Sequence, residues 1–274
     1  MFIIISALLG RRTLLQLRGS NFLNWLNSAS GLTKVYVAKV LRQARGVIVL
    51  GDSLKYQFSS FFSKDKIFAV PNGADFKTPA SIEKVKSAGV LKLLCLSNLQ
   101  PSKGVEDVIQ GVLILKRFHG ESKVELNIVG SWRGDTTKNT CTNLVKEFDL
   151  PVFFQSSTAG EEKFAYYLKA DIFVFTPREP EGHPWVIVEA MAAGLPIITT
   201  DQGAITEAVF DGVNGFIVGM QKPEQIAHKI RILAEDIPLR KKMGRASRRL
   251  YEECFTETKM VQNLRECFCE IING

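Results

Sequence analysis

The sequence predicts an α/β protein whose main part is a doubly wound parallel sheet. Short apolar runs alternate with longer amphipathic stretches, which is the pattern of repeated strand-helix units. From Val90 onward, about six such strands alternate with helices, enough for a complete sheet of this kind. Hydrophobic residues make up 46% of the 274 residues and charged residues 23%, the balance of a folded globular protein rather than a disordered one.

The individual elements follow from hydrophobic periodicity and from turn residues at their ends. Apolar runs rich in β-branched, leucine or aromatic residues predict strands at 13–17, 46–50, 66–70, 91–97, 124–130, 151–154, 171–176, 196–200 and 215–218. Amphipathic stretches predict helices near 32–44, 53–61, 104–118, 138–148, 160–169, 184–193, 203–209, 223–234, 237–253 and 257–272.

Polar and turn-forming residues concentrate at 70–89, which predicts a hinge between two parts of the chain. We place the boundary after residue 75, giving a small N-terminal part at 1–75 and a C-terminal domain at 76–274. The opening segment MFIIISALLGRR lacks the basic start and the cleavage site of a signal peptide. We expect it to form a buried helix or strand.

Charge and cysteine content limit the classes of partner. The net charge of +7 favours an acidic ligand or an anionic membrane surface, so peripheral association with the inner face of a membrane is one expectation. The five cysteines are irregularly spaced, which is typical of reduced thiols in the cytoplasm. The three histidines are too scattered for a metal cluster, and we expect no metal and no cofactor. The basic stretch 239–250 has few aromatic residues, so it indicates a solvated helix face and not a nucleic-acid site.

The segment 171–193 carries the candidate site. It reads as an apolar strand, a loop with prolines and a glycine, and a buried helix whose start is marked by Pro184. Open α/β sheets bind ligands at the carboxyl ends of their strands, and a helix start presents free N–H groups suited to phosphate. Glu181 and Glu189 flank this position and can accept hydrogen bonds from sugar hydroxyls. On spacing alone, either glutamate can equally well be a cap or an ion-pair partner.

Several motifs together resemble those of the retaining glycosyltransferases of family 4, the group 1 glycosyltransferases with a GT-B fold. The signature is EGHPWVIVEAMAAG, with its two glutamates eight residues apart. Matching segments occur in the family's order at 70–75 (VPNGAD), 96–109 (LSNLQPSKGVEDVI), 126–131 (LNIVGS) and 166–178 (YYLKADIFVFTPR). The resemblance runs from about Thr13 to the C-terminus. It implies a GT-B-like fold in which residues 1–75 are the acceptor side, 76–274 bind the nucleotide-sugar donor, and the last helix at 257–272 packs back toward the N-terminal part.

The resemblance also implies a reaction. A hexosyl unit would move from a nucleotide-diphosphate sugar to a glycan or lipid-linked acceptor, with retention of configuration and without a required metal, in polysaccharide biosynthesis. Lys103 would neutralise the leaving diphosphate, and Glu181 would contact the donor hexose. The other implied donor-binding residues are Asn98, Gly130, Ser156, Gly182, His183, Trp185 and Glu189, of which Glu189 would take the ribose and Ser156 would pass the base.

The chain departs from the family pattern at three points. Asn98 stands where the family commonly has an arginine, and Arg18 stands where it has a histidine. The resemblance also begins midway through the family's N-terminal domain, so we expect an incomplete acceptor side and impaired transfer by this chain alone. The alternatives are a non-catalytic nucleotide-sugar binding fragment or one half of a split enzyme. An epimerase or phosphorylase of the same architecture is disfavoured, because neither the glutamate spacing nor the lysine context is expected there.

Overall fold

Two separate parallel sheets organise the protein. The computed structural model describes residues 2–76, 89–118 and 124–273. The smaller sheet has the order β1-β2-β3, and the larger has the order β6-β5-β4-β7-β8-β9. The strands are β1 (Leu14–Gln16), β2 (Gly46–Val49), β3 (Ile67–Ala69), β4 (Leu91–Leu96), β5 (Val124–Val129), β6 (Val152–Gln155), β7 (Ile172–Phe175), β8 (Ile197–Thr200) and β9 (Gly215–Val218). This architecture confirms the predicted α/β class.

The order of the larger sheet determines where a ligand can bind. Strand β4 lies at its centre and pairs in parallel with β5 on one side and β7 on the other. The chain therefore winds outward in opposite directions from β4, and a crevice forms beyond the carboxyl ends of β4 and β7. Both faces of β4 are covered, since Leu93, Leu94 and Cys95 are all buried. Parallel strands require such covering on both faces.

Helices flank both sheets and mostly follow the sequence prediction. They are α1 (Phe2–Leu8), α2 (Phe22–Ser28), α3 (Gly31–Leu41), α4 (Val105–Phe118), α5 (Asp135–Glu147), α6 (Gly160–Lys169), α7 (Trp185–Ala192), α8 (Pro223–Glu235), α9 (Ile237–Cys254) and α10 (Glu257–Asn273). The predicted helices at 53–61 and 203–209 are shorter 3-10 helices, at Asp52–Phe58 and Ile205–Glu207. Further 3-10 turns lie at Lys64–Lys66 and Pro101–Lys103.

The opening segment differs from the prediction. It is helical, as α1, but none of its residues is buried, and Phe2 and Leu8 are each 82% exposed. The expectation of a buried element was therefore wrong, because α1 packs only lightly on α3. Helix α2 was not predicted. It has seven residues and buries only Leu26, too little to give an apolar periodicity.

The last helix connects the two parts of the chain. Met260, Leu264 and Cys267 of α10 pack with Ile48 of β2 and Val70, which follows β3. A carboxylate makes a second connection, since Glu207 accepts backbone hydrogen bonds from Asp52 at 2.9 Å and Ser53 at 2.7 Å. The predicted hinge at 70–89 falls largely on residues 77–88, which lie outside the described residues, so the domain boundary stays a prediction.

The cysteines and the basic helix have the environments that the sequence indicates. All five thiols are free, and burial raises the pKa of Cys95 to about 12. On α9, Arg248 and Arg249 form ion pairs with Glu252 and Glu253 one turn further along, as expected of a solvated face. Across the described ranges of the chain, no helix has both the length and the apolar character needed to cross a bilayer.

Candidate functional site

A cavity of about 340 Å³ opens at the carboxyl ends of β4 and β7. It receives residues from both sheets, because the ends of β1, β2 and β3 face the crevice of the larger sheet. Its lining comprises Arg18, Leu50, Asn72, Ser97, Asn98, Lys103, Phe175, Glu181, Gly182, His183, Pro184, Trp185 and Val186. Six of the residues predicted for the site therefore line one cavity: Asn98, Lys103, Glu181, Gly182, His183 and Trp185.

Lys103 and Glu181 form an ion pair in this cavity. Lys103 ends the 3-10 turn that precedes α4, and Glu181 belongs to the loop between β7 and α7. Gly104 allows the two segments to approach, since it has a φ of +70° and a Cβ there would overlap the carbonyl oxygen of Thr176. Both side chains remain partly exposed to the cavity, at 21% and 16%. A substrate can therefore reach both charges.

Arg178 fixes the loop that carries Glu181. Its guanidinium donates to both carboxylate oxygens of Asp107 on α4, at 2.5 and 2.8 Å, and its backbone N–H donates to the carbonyl oxygen of Ser102 at 2.8 Å. The hydrogen bonds with Asp107 raise the pKa of Arg178, and the nearby Glu106 adds to this effect. Bidentate arginine-carboxylate pairs are rigid. The Arg178–Asp107 pair thus fixes the loop that carries Glu181 relative to α4 and to the turn that carries Lys103.

The opposite side of the same loop packs against residues 203–204. Gly203 has a φ of +61°, and a Cβ there would overlap the carbonyl oxygen of Glu181. The backbone N–H of Ala204 donates to the carbonyl oxygen of Gly182 at 3.0 Å. Asn72, from the N-terminal part, donates through Nδ2 to the carbonyl oxygen of His183 at 2.5 Å. The backbone of Gly203 and Ala204 and the side chain of Asn72 therefore help to determine the position of the Glu181 loop.

The imidazole ring of His183 is buried and has no hydrogen-bond partner among the described residues. Its side chain is 2% exposed, neither ring nitrogen has a hydrogen-bond partner, and its ring lies against Phe255 with centroids 5.0 Å apart. Burial lowers the pKa of His183 to about 4. The imidazole is therefore neutral near pH 7, and its role at this pH is to fill space and to offer its backbone, not to provide charge.

Glu189 lies on α7, the helix that follows the loop of Glu181, and it does not line the cavity. Its Oε1 accepts from the ammonium group of Lys163 at 2.6 Å, and its Oε2 accepts from the hydroxyl of Tyr167 at 2.7 Å. Lys163 and Tyr167 are one turn apart on α6. Desolvation, and then the charge of Glu189, raise the pKa of Tyr167 well above its usual value, so its proton stays in place. Both glutamates of the signature are thus ion-paired, as the spacing alone allowed.

Gly130 and Ser156 lie beyond the cavity lining, at the ends of β5 and β6. Gly130 packs under the cavity wall, because a Cβ there would overlap the carbonyl oxygen of Ser97. Ser156 is exposed on the loop that follows β6. Gly130 and Ser156 follow β5 and β6 at the carboxyl edge of the larger sheet, and Glu189 lies within α7, so the predicted roles of these three residues require a ligand that extends out of the cavity.

Five polar residues that line the cavity or bond to Glu189 were not assigned to the site from the sequence. They are Arg18, Asn72 and Ser97, which line the cavity, and Lys163 and Tyr167, which hold Glu189. Asn72 belongs to the quoted VPNGAD motif and Ser97 adjoins Asn98, so a signal existed for both. Nothing in the spacing of α6 pointed to Lys163. For the chain outside 77–88 and 119–123, no cluster of three His, Cys, Asp or Glu side chains could hold a metal ion.

Comparison with known proteins shows which protein family the chain matches. The family model described as "Glycosyl transferases group 1" matches residues 78–250, more than half of the chain. The chain is 29% identical over 237 residues to spore coat protein SA of Bacillus subtilis, covering 78% of this chain and 61% of that protein. It is 25% identical over 228 residues to the D-inositol 3-phosphate glycosyltransferase of Paenarthrobacter aurescens, covering 77% and 53%. The chain therefore spans less than two thirds of the length of these relatives.

Solved structures show the same fold. Crystal structures of Anabaena Alr3699/HepE in complex with UDP and with UDP-glucose have TM-scores of 0.84 and 0.81 to this chain. Each is 20% identical in sequence and covers 98% of this chain and 75% of the Anabaena chain. At this level of identity the likeness concerns the fold, and it confirms the predicted GT-B-like architecture.

Proposed function

Because this chain belongs to the group 1 glycosyl transferases, we propose that it binds a nucleotide-diphosphate sugar in the cavity and transfers the hexosyl unit to a glycan or lipid-linked acceptor. The observation that carries this proposal is the Lys103–Glu181 pair near the carboxyl ends of β4 and β7, between which the strand order of the larger sheet reverses direction. It places a cation beside a carboxylate in a cavity open to solvent. A diphosphate needs such a cation, and sugar hydroxyls need such an acceptor.

The transfer proposed here breaks the bond between the anomeric carbon and the diphosphate oxygen. The electron pair of that bond stays on the diphosphate, where Lys103 stabilises the charge. The hydroxyl oxygen of the acceptor forms the new bond to the anomeric carbon, and its proton passes to an oxygen of the departing diphosphate. In the retaining course that we propose, the acceptor approaches from the side that the diphosphate leaves. Glu181 accepts hydrogen bonds from the hexose and so holds the anomeric carbon near the diphosphate.

The nucleoside end is proposed to lie along the carboxyl edge of the sheet, outside the cavity. Backbone N–H groups at the start of α7, near His183 and Trp185, face the diphosphate, because a helix start carries partial positive charge. Glu189 takes the ribose hydroxyls. Its bonds to Lys163 and Tyr167 occupy only two of about four acceptor positions on the carboxylate. Gly130 and Ser156 border the path of the base. The complexes of the Anabaena protein with UDP and UDP-glucose support a donor of this class.

Transfer by this scheme uses Lys103 and the N–H groups at the start of α7 for the diphosphate and includes no metal. A peripheral association with an anionic membrane face is also part of the proposal. It is supported by the exposed apolar residues Phe2, Leu8 and Leu9 beside Arg11 and Arg12, since apolar and basic residues together favour such surfaces. Flotation with phosphatidylglycerol vesicles should recover the chain, and Phe2→Ser with Leu8→Ser should weaken recovery. Equal recovery of the variant would contradict this part of the proposal.

Two measurements test the function. Calorimetry with UDP, GDP and ADP should show one of them binding more tightly than its monophosphate. A donor-consumption assay with the matching nucleotide-sugars should then show loss of donor that falls strongly in Lys103→Met. The matched control is Lys241→Met, which changes an exposed lysine on α9. Binding of none of the three diphosphates would contradict the proposal. Binding without consumption would favour a non-catalytic nucleotide-sugar module.

A further inference from the structure

Arg18 is a cation in the cavity that has no carboxylate partner within residues 2–76, 89–118 and 124–273. Of the residues that the structure describes, the charged ones that line the cavity are Arg18, Lys103 and Glu181. Lys103 is neutralised by Glu181. The guanidinium of Arg18 instead donates to Oδ1 of Asn72 at 3.4 Å, and Asn72 is a neutral amide. Among the described residues, no carboxylate lies within ion-pair distance of Arg18. Two cations against one carboxylate leave the cavity with an excess of one positive charge.

Asn72 gives Arg18 a defined orientation. Asn72 is 4% exposed, and its Nδ2 donates to the carbonyl oxygen of His183 at 2.5 Å. Because a carbonyl oxygen can only accept, the amide must present its NH2 group to His183 and its oxygen to Arg18. The backbone of Arg18 is also close to the loop of Glu181, since a Cβ added to Gly182 would lie 3.2 Å from the carbonyl oxygen of Arg18. Arg18 thus extends from the segment after β1 to the loop that carries Glu181 and Gly182.

We infer that Arg18 is a second cation for the diphosphate of the donor, contributed by the smaller sheet. This inference rests on the proposed function. Each phosphate of a nucleotide-diphosphate sugar carries negative charge, and the departing nucleoside diphosphate gains more when the sugar leaves. Lys103 alone must divide its charge between Glu181 and the diphosphate. The planar guanidinium of Arg18 can donate two parallel hydrogen bonds to phosphate oxygens, which a lysine cannot do.

The charge of the cavity also argues against a donor sugar that carries a carboxylate. A carboxylate on the donor sugar would be a third negative group in the cavity, beside Glu181 and the diphosphate. The diphosphate already requires the one surplus cation, so no cation would remain for that carboxylate. Arg18 therefore fits a donor with a neutral hexose. Stabilisation of the leaving group therefore requires contact between the two sheets. Lys103 follows β4 of the larger sheet, and Arg18 follows β1 of the smaller sheet.

The test compares Arg18→Met with Arg42→Met, which removes an exposed arginine at the end of α3, away from the cavity. Calorimetry with pyrophosphate, UDP, GDP, ADP and the three monophosphates should show that Arg18→Met loses about tenfold or more in affinity for diphosphates. Its affinity for monophosphates should change less, and Arg42→Met should match the unaltered chain. Adding Asn98→Arg to Arg18→Met should restore diphosphate binding, because residue 98 lines the same cavity. A purely structural role of Arg18 would not be rescued in this way.

The outcomes separate this inference from the proposed function. If the unaltered chain binds a nucleoside diphosphate or pyrophosphate and Arg18→Met binds it equally tightly, the inference is wrong and the donor site stands. If the unaltered chain binds none of these ligands, the donor site itself is wrong, and the inference falls with it. If Arg18→Met binds UDP and UDP-glucose normally but loses affinity for UDP-glucuronate, Arg18 binds a sugar carboxylate and the inference is overturned.

Discussion

The ammonium group of Lys163 lies 2.6 Å from Oε1 of Glu189, and both side chains are largely withdrawn from water, at 21% and 10% exposure. Breaking a buried pair by removing one partner leaves an uncompensated charge, and such changes cost about 3–5 kcal/mol when burial is complete. With the residual exposure of this pair, we expect Lys163→Met to lower the free energy of unfolding by about 2 kcal/mol. Urea denaturation measures this change.

A double-mutant cycle isolates the Lys163–Glu189 interaction. Glu189→Gln keeps an acceptor for Tyr167 but removes the charge, so the double variant should be more stable than the sum of the single changes predicts. The control cycle uses Arg249 and Glu253, an exposed pair separated by 3.9 Å, whose coupling should be at most about 0.5 kcal/mol. Equal coupling in the two cycles would show that burial does not strengthen the Lys163–Glu189 pair.

His183 should make stability depend on pH. Its folded pKa of about 4 lies below the value of about 6.5 expected in the unfolded chain, so the unfolded state binds the proton more readily. Stability is therefore lost as pH falls from above 6.5 toward 4. From pH 7.5 to pH 5 we expect His183 to contribute a loss of about 2 kcal/mol. His183→Phe should remove this part of the dependence in urea denaturation at the two pH values. An unchanged pH dependence would contradict the buried, neutral imidazole.

Gly203 should be far less tolerant of a side chain than Gly212. Both have positive φ, at +61° and +74°, but a Cβ at Gly203 would overlap the backbone of Glu181, whereas a Cβ at Gly212 meets no atom within 4 Å. Gly212→Ala should cost about 1 kcal/mol through backbone strain alone. Gly203→Ala should cost about 3 kcal/mol or more, because the Glu181 loop must move. Thermal unfolding compares the two variants, and equal losses would count against the close packing of Gly203 on Glu181.

Most of the fold could be predicted because its signals are local. The strands at 91–97, 124–130 and 215–218 are mainly apolar segments between turn residues, and the structure places β4, β5 and β9 there. Helix α2 and the exposure of α1 could not be predicted in this way. The conformation and burial of these two helices depend on which elements pack against them, and hydrophobicity alone does not reveal those elements.

The candidate site was predictable only in part. The motif around Glu181 indicated the loop at the carboxyl end of a strand, and the resemblance added Lys103. The ion pairs were not predictable, because Lys103 and Glu181 are 78 residues apart in sequence and Lys163 and Glu189 are 26 apart. Such pairs come together only when the sheet order places β4 beside β7 and α6 beside α7. The position of Arg18 in the cavity was not predictable either, because it depends on how the smaller sheet packs against the larger one.

In the proposed complex, Glu181 binds the hexose of the donor and Glu189 binds its ribose. The most direct measurement is calorimetry of Glu181→Ala and Glu189→Ala with the free nucleoside diphosphate and with the corresponding nucleotide-sugar, after circular dichroism has established that both variants are folded. Glu189→Ala should weaken both ligands, and Glu181→Ala should weaken only the nucleotide-sugar, each by about 1.5–3 kcal/mol. Equal losses for both variants with both ligands, or no loss with either ligand, would contradict this division of roles.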